Sequence, residues 1–344
     1  TPKPSSAASD VYKRQPLRVT LGGGGTDLES YYRNDGGFIF AMALDKYIRV
    51  VAHRPAFDDR VVVYGPQPEV SPRATEVQHE LVRAALMAHG FDDRLETASL
   101  ADIAGGTGLG SSSSFLVGFL NALHGMKGDT PSPQALAEEA CDLEIRVLNK
   151  GIGKQDQYMA AFGGLTTLDI APDGRVAVNR VDLDAEVEAA FIEHTHIYYT
   201  GLRRDAAVVL ADQNAAMQSE AAPRRETVSD SLGFIKDLGY RIRDAWVSGD
   251  LDGWGRMLDE HWAQKKRLSG KISWSAVDDL YDHVKRDLGV TGGKVIGAGG
   301  GGFLMLFQPG DGVALEAYMA SQNMPRLRYG VDRAGSRQMV ETPR

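Results

Sequence analysis

Apolar positions recur along this chain with two spacings, and the spacing separates strands from helices. Leu17, Val19 and Leu21 alternate with Arg18 and Thr20, so "LRVTLGG" reads as a strand running into a glycine turn. "GGFIFAMALDKYIRVVAHRP" is rich in Ile, Val, Phe and Tyr and predicts two strands, ended by Pro55. "RVVVYG" adds another. Over residues 75–90 the spacing becomes helical, with Gly90 as the stop. "LETASLADIAGGTGLG" carries a strand into a glycine loop. "SSSFLVGFLNALHGM" follows as a helix apolar nearly all round, hence buried. Ser132 and Pro133 open the helix "SPQALAEEACDLEIRVL". "GIGKQDQYMAAFGG" predicts a turn and a short helix, and "LTTLDI" and "VAVNRVDL" predict strands around a "PDG" turn.

The second half has a different rhythm. After the strand "HTHIYYTG", four long helical patterns fill residues 204–289. "GGKVIGAGGGGFLMLFQP" then gives strand, glycine loop and strand. The change of pattern places a domain boundary near residues 190–195 and predicts an α+β protein of two units, 14–192 and 193–344. Residues 1–13 begin small, polar and rich in Pro and Ser and are expected to be a disordered or non-native leader.

Composition narrows the function. The 344 residues carry a net charge of −8, which argues against nucleic acid as partner, though a local cationic pocket for a small anion remains open. No apolar run is long enough for a membrane span. The one cysteine, Cys141, excludes a disulfide framework within the chain, fits a reducing cytoplasm, and reads as a small buried hydrophobe. Glycine is in excess, 39 residues, clustered at 22–25, 105–110 and 297–302. Such clusters serve backbone that must approach a ligand closely or adopt positive φ.

The middle cluster has the spacing of a P-loop from Gly105 to Gly110, but Ser111 stands where the lysine is required. The loop physics survives that failure. Free amides at a helix N-terminus with serine hydroxyls beside them make an anion site, and serine also favours the N-cap. In the late cluster Gly297, Gly299 and Gly302 satisfy G-x-G-x-x-G, yet the apolar "FLMLF" follows where a dinucleotide site needs a helix. A strand–glycine–strand device there lets backbone lie against a ligand or another loop. The first cluster leads to Asp27, a turn or cap residue or a functional carboxylate.

In order, "PLRVTLGGGGTD", "GGTGLGSSSS" and "GAGGGGF" resemble the three motifs of the GHMP kinase superfamily, over the chain from about Arg14 to its C-terminus. "PLRVTLGGGGTDLESYY", "GKQDQY", "YYTGLRR" and "HWAQKKRLS" are most similar to its sugar-1-kinase branch, in particular to D-glycero-α-D-manno-heptose 7-phosphate 1-kinases, and more distantly to L-fucokinases. The resemblance implies the two-domain fold of that family, an N-terminal β-α-β domain with a C-terminal ferredoxin-like α+β domain. It implies ATP and Mg²⁺ as cofactors, a sugar phosphate as small-molecule partner, and leaves a homodimer open.

It also implies roles. Gly105, Gly106, Thr107, Gly108, Leu109, Gly110, Ser111 and Ser112 would wrap the ATP phosphates. Ser112 and Glu144 would ligate the metal. Asp156 would be the base and Arg18 would orient it or hold the γ-phosphate. Asp27 would bind sugar hydroxyls. Gly24 and Gly25 stand where galactokinases carry Glu-His, which makes room in the sugar pocket and favours a bulkier or phosphorylated sugar over galactose. Gly299 and Gly300 are expected beside the substrate. For a substrate phosphate the candidates are Lys154, Arg203, Arg204, Lys265 and Lys266, the pair in "TGLRRDA" foremost because it lies between a strand and a helix. Against this stand another hexose 1-kinase, a sugar and ATP sensor without turnover, and a dinucleotide-dependent oxidoreductase resting on the late glycine match alone.

Overall fold

The computed structural model describes residues 10–65, 67–203, 206–219 and 222–338. The chain begins β1 (Asp10–Gly22), α1 (Glu29–Asp35), β2 (Gly37–His53), β3 (Val61–Tyr64), β4 (Glu69–Ser71), α2 (Glu80–His89), β5 (Leu95–Ala101) and α3 (Ser111–Lys127). Next come α4 (Pro133–Cys141), α5 (Gln155–Phe162), β6 (Leu165–Ile170), β7 (Val176–Arg180), α6 (Ala185–His194) and β8 (Thr195–Tyr199). Helices α7 (Ala206–Met217), α8 (Ala222–Ser248), α9 (Leu251–Leu268) and α10 (Ser275–Asp287) follow. The chain closes with β9 (Gly292–Val295), β10 (Phe303–Phe307), α11 (Val313–Ser321), β11 (Arg326–Leu327) and β12 (Arg337–Gln338).

Eight strands form one sheet, in the order β12-β1-β2-β5-β3-β4, with β6 and β7 attached through β2. Its pairs are antiparallel except β3 with β5. The second sheet is antiparallel in the order β11-β8-β10-β9. The α+β class is as the pattern predicts.

Three boundaries differ from the sequence reading. The two strands expected between Gly37 and Pro55 are one strand of 17 residues. Asp45 and Lys46 form a bulge, where pairing to β1 steps from Leu17 opposite Leu44 to Pro16 opposite Tyr47. A bulge bends a strand without ending it. The first half of β2 thus pairs with β6 and the second half with β5. Residues 10–13, expected in a leader, belong to β1, with Lys13 opposite Val50 and Val11 in the core. Residues 1–9 lie outside the described residues. The boundary expected at 192–193 falls inside α6, which the sequence reading did not predict.

The core does not break at that boundary. One continuous apolar cluster takes in Leu17, Phe40 and Phe119 together with Phe191, Trp246, Trp254 and Phe307. Phe191 stacks on Trp246 with ring centroids 4.2 Å apart, and α8 packs on β1 and β2. A second cluster, with Leu232, Trp262, Tyr281 and Leu304, lies among α8, α9, α10 and β10. Helix α3 is buried as its composition predicts: Leu116, Val117, Phe119, Leu120 and Leu123 are all fully enclosed. Cys141 is likewise buried, and burial pushes its thiol pKa up.

Candidate active site

A cleft of about 660 Å³ opens between the two sheets. Arg18 and Thr20 of β1 line it, with Gly24, Gly25 and Asp27 from the turn after β1, and Gly106, Gly108, Gly110, Ser111, Ser112 and Ser113 from the loop and helix start; of the expected loop residues, Gly105 is exposed and Thr107 and Leu109 are buried, and none of the three lines it. Glu144, Gly153, Gln155 and Asp156 add to the same half, and His261, Lys265, Lys294 and Gly297 close it from the other.

Gly106, Gly108 and Gly110 have φ of 76°, 81° and 81°, a left-handed backbone that side chains resist. Gly110 itself is the N-cap of α3, and no serine caps the helix. The expected serine cap is therefore replaced by a glycine turn. Arg18 takes the carbonyls on the β1 side: its amide donates to Leu109 O at 3.1 Å and its Nη1 to Gly108 O at 2.5 Å. The first amides of α3, which a helix leaves without internal acceptors, start at the cleft.

The late glycine loop supports this one. A Cβ on Gly297 would lie 2.6 Å from Gly108 O, and one on Gly108 would lie 2.9 Å from Ile296 O. The two backbones touch, so this cluster serves another loop, one of the two uses its pattern allows. Gly299 and Gly300, expected beside the substrate, are instead packed on the chain before α10. Gly300 N donates to Ile272 O at 2.8 Å, and a Cβ on Gly299 would meet Ile272 at 2.9 Å. Neither is among the residues lining the cleft.

Asp156 lies in the first turn of α5, and Arg18 grips its Oδ1 with Nε at 2.7 Å and Nη2 at 2.6 Å. Asp27 is 1% exposed and accepts from Gln155 N at 3.0 Å and Gln155 Nε2 at 3.3 Å. Burial raises its carboxyl pKa; the Gln155 amide pulls the other way and the nearby Asp156 charge adds to the rise. Thr20 Oγ1 donates to Gln155 Oε1, tying the residue that holds Asp27 to β1. Gly24 and Gly25 also line the cleft, but the room expected at them is partly taken: a Cβ on Gly25 would lie 3.3 Å from Gln213 Nε2 and from Leu232 Cδ2, and one on Gly24 would lie 3.4 Å from Thr20 Cγ2.

Glu144 is also 1% exposed, carried on a π-helical turn (Asp142–Val147) that continues α4. Such turns recur where a side chain must be re-aimed. Gln157 Nε2 donates to its Oε2 at 2.6 Å and the Ser113 hydroxyl bonds to it as well. Burial raises the Glu144 pKa against those two bonds. Ser113 thus has a polar partner inside the helix start, and Ser114 Oγ donates to Pro16 O at 3.0 Å. Ser111 Oγ is buried with no partner among the described residues, and Ser112 is exposed at the cleft. A desolvated carboxylate near an orphaned hydroxyl is a hard-oxygen donor set of the kind Mg²⁺ takes, so the residues fit the metal.

Several expected cations are elsewhere. Lys154 donates to Gly174 O and lies over the Tyr32 ring, 5.1 Å from its centroid, rather than lining the cleft. Arg203 is exposed and does not line it either. Arg204 falls outside the described residues. Lys266 pairs with Asp278 at 3.1 Å on the surface. Lys265 does line the cleft, and with it come His261 and Lys294, which sequence reading missed. The signal was present: a lysine inside the apolar strand "GGKVIG" is out of place in a core.

This fold, with a glycine-wrapped anion site facing two buried carboxylates and an Arg–Asp pair, is that of a phosphoryl-transfer enzyme. Residues 77–164 match the GHMP kinases N terminal domain and residues 242–325 the GHMP kinases C terminal domain. The chain belongs to the GHMP kinases: it is a phosphotransferase with an alcohol group as acceptor, and it groups with the sugar kinases of that family. It is 24% identical over 309 residues to a D-glycero-alpha-D-manno-heptose 7-phosphate kinase of Campylobacter jejuni, covering 86% of this chain and 89% of that one. It is 25% identical over 335 residues to the L-fucokinase/L-fucose-1-P guanylyltransferase of Bacteroides fragilis, again over 86% of this chain but 34% of that protein. A crystal structure titled as a D-glycero-D-manno-heptose 1-phosphate kinase from Bacteroides thetaiotaomicron shares the fold, with TM-score 0.79 and 20% identity over 97% of this chain and 100% of that one. Among the described residues no helix is long and apolar enough to cross a membrane.

Proposed function

We propose that the cleft transfers the γ-phosphate of ATP to the anomeric hydroxyl of D-glycero-α-D-manno-heptose 7-phosphate, a step toward nucleotide-heptose and surface polysaccharide synthesis. The observation that carries this reading is the position of the Arg18–Asp156 pair. Asp156 borders the phosphate loop through Gly110, and its neighbour Gln155 holds Asp27 on the sugar side. A base between donor and acceptor subsites is what in-line phosphoryl transfer needs.

The geometry supports a role for each residue. Asp27 and the Gln155 amide bind acceptor hydroxyls and fix the ring. Asp156 accepts the proton of the attacking hydroxyl, worth about 10²–10⁴-fold in rate. Arg18 holds Asp156 by one oxygen and leaves the other toward Gly110. The amides of Gly106–Ser112 bind the ATP phosphates. Glu144, with the hydroxyls of Ser111 and Ser112, would hold Mg²⁺, which neutralises phosphate charge when bound. The fucokinase relative favours L-fucose as a second reading.

A coupled assay with the heptose 7-phosphate, L-fucose, mannose and galactose tests the assignment. The heptose phosphate is expected to show the highest kcat/KM. Faster turnover of an unphosphorylated sugar overturns the substrate, and no ATP consumption across the panel would indicate a sensor on this fold.

A further inference from the structure

Outside the cleft, three helices bring two imidazoles and a carboxylate to one point. His89 stands in the last turn of α2, His124 in the last turn of α3 and Glu139 on α4. One ligand atom from each lies within 4.8 Å of the other two. Both imidazoles turn Nε2 to the same carboxylate, His89 to Oε1 at 2.7 Å and His124 to Oε2 at 2.9 Å. None of the three lines the cleft. The His89 side chain is 4% exposed, whereas His124 and Glu139 are 20% and 28% exposed, so the cluster is closed on one side and open on the other.

His124 has a carboxylate at each ring nitrogen. Its Nδ1 lies 3.6 Å from Asp129 Oδ2, in the turn between α3 and α4, while its Nε2 faces Glu139. A neutral imidazole has one N–H to give. With Nδ1–H turned to Asp129, the Nε2 lone pair meets a carboxylate oxygen, and only a cation between them makes that favourable. A proton on His124 satisfies that pair alone. The His89 ring stands edge-on to the His124 ring, with centroids 4.7 Å apart, and presents a second nitrogen to the same oxygens. A divalent metal bonded to both imidazoles in their neutral form would serve all three residues at once. Asp129 would then hold the His124 ring, the arrangement in which an outer carboxylate orients a metal-bound histidine.

We propose that His89, His124 and Glu139 form a binding site for a divalent transition metal, with Zn²⁺ the best match. Two imidazole nitrogens and one carboxylate oxygen suit zinc, whereas Mg²⁺ and Ca²⁺ take oxygen sets. Ligands about 2.1 Å from one zinc are about 3.4 Å apart, so small side-chain shifts close the three atoms on it, and the open side leaves the fourth position to water. The ion would join the end of α3, whose start lies at the cleft, to α4, which runs on into the turn carrying Glu144. It would therefore brace the fold behind the cleft and take no part in phosphoryl transfer.

The test titrates chelator-stripped full-length protein with zinc chloride, without ATP or Mg²⁺, by calorimetry and thermal melting. Wild type is expected to bind one zinc per chain. At zinc about 100-fold above Kd its melting temperature should rise by about 3–6 °C, and Mg²⁺ should give no such rise. Glu139→Gln and His124→Gln should each abolish the response, and Asp129→Asn, an exposed change, should weaken binding about 10–100-fold. Co²⁺ in place of zinc reads the coordination of wild type directly, whether or not a variant folds: the intense visible absorption of a four-coordinate ion upholds the site, and the weak absorption of a six-coordinate one overturns it. No zinc binding by wild type, or a zinc response that survives in both Glu139→Gln and His124→Gln, also overturns it.

Discussion

Gly110→Ala perturbs the glycine loop and Asp156, the proposed base, together. Residue 110 has φ of 81°, and holding an L-residue there costs about 1–2 kcal/mol. The new methyl would lie 3.1 Å from Asp156 Cγ and 3.2 Å from Oδ2, inside ordinary contact. Asp156 cannot swing away freely, because Arg18 clamps its other oxygen at 2.6–2.7 Å. Loosening one charged hydrogen bond costs about 1.5–3 kcal/mol. The two effects together destabilise the fold by about 2.5–5 kcal/mol. A base displaced by some tenths of an ångström should lower kcat about 10–100-fold. Urea denaturation and steady-state kinetics measure both. The contact can be isolated in a double-mutant cycle: in an Asp156→Ala background the Gly110→Ala cost should shrink to the backbone part alone. A variant within about 0.5 kcal/mol of wild type, the ordinary range for a neutral surface change, with unchanged kcat, would refute the reasoning.

Other changes have equally definite outcomes. Asp156→Asn should lower kcat by about 10²–10⁴-fold with ATP affinity kept; an unchanged kcat removes Asp156 as base. Glu144→Gln should abolish the rise in melting temperature that Mg²⁺ gives in the presence of ATP. Because burial raises the Glu144 pKa, its charge opposes folding as pH rises through that value, so the ligand-free variant should be no less stable than wild type at neutral pH. A less stable ligand-free variant contradicts this. Glu139 joins α4 to α2 and α3 by accepting from His89 at 2.7 Å and His124 at 2.9 Å. Burial would raise the Glu139 pKa, but bonds to His124 and His89 outweigh it and bring it down to about 2, while the Glu139 bond raises His124. The carboxylate's contribution is present above pH ~4.5 and fades as pH falls toward 2; that of His124 is present below pH ~6.5 and fades as pH rises through its raised value. Glu139→Gln should therefore cost about 1–3 kcal/mol, most between pH ~4.5 and ~6.5. A pH-independent loss in urea titrations would speak against the clamp.

Much of the site was legible because its demands are local. A glycine at a left-handed position, serines opening a helix and an aspartate in a first turn appear in the sequence as themselves. Gly106–Ser112, Asp27, Glu144, Arg18 and Asp156 all line the cleft or abut its loop. The basic residues of the cleft are legible in sequence only as a list of candidates. Lys154 and Lys265 look alike in sequence, and burial by distant strands sends one to the Gly174 carbonyl and the other into the cleft. The bond between Ser113 and Glu144 is not legible in the sequence, because Glu144 arrives through a π-helical turn that no spacing rule predicts.

The α+β class, the buried helix α3 and the glycine turn at its start can be read along the chain, since alternation, helical spacing and backbone freedom are properties of neighbouring residues. Tertiary structure decided the rest. It made one strand of two by bulging β2 at Asp45 and Lys46, where new partners take over. It turned the late glycine run into a buttress for Gly108, a contact between residues nearly two hundred positions apart. It also buried Lys265 and Lys294 in the wall of the cleft, and how far a side chain is enclosed depends on what packs around it, which neighbours in sequence do not reveal.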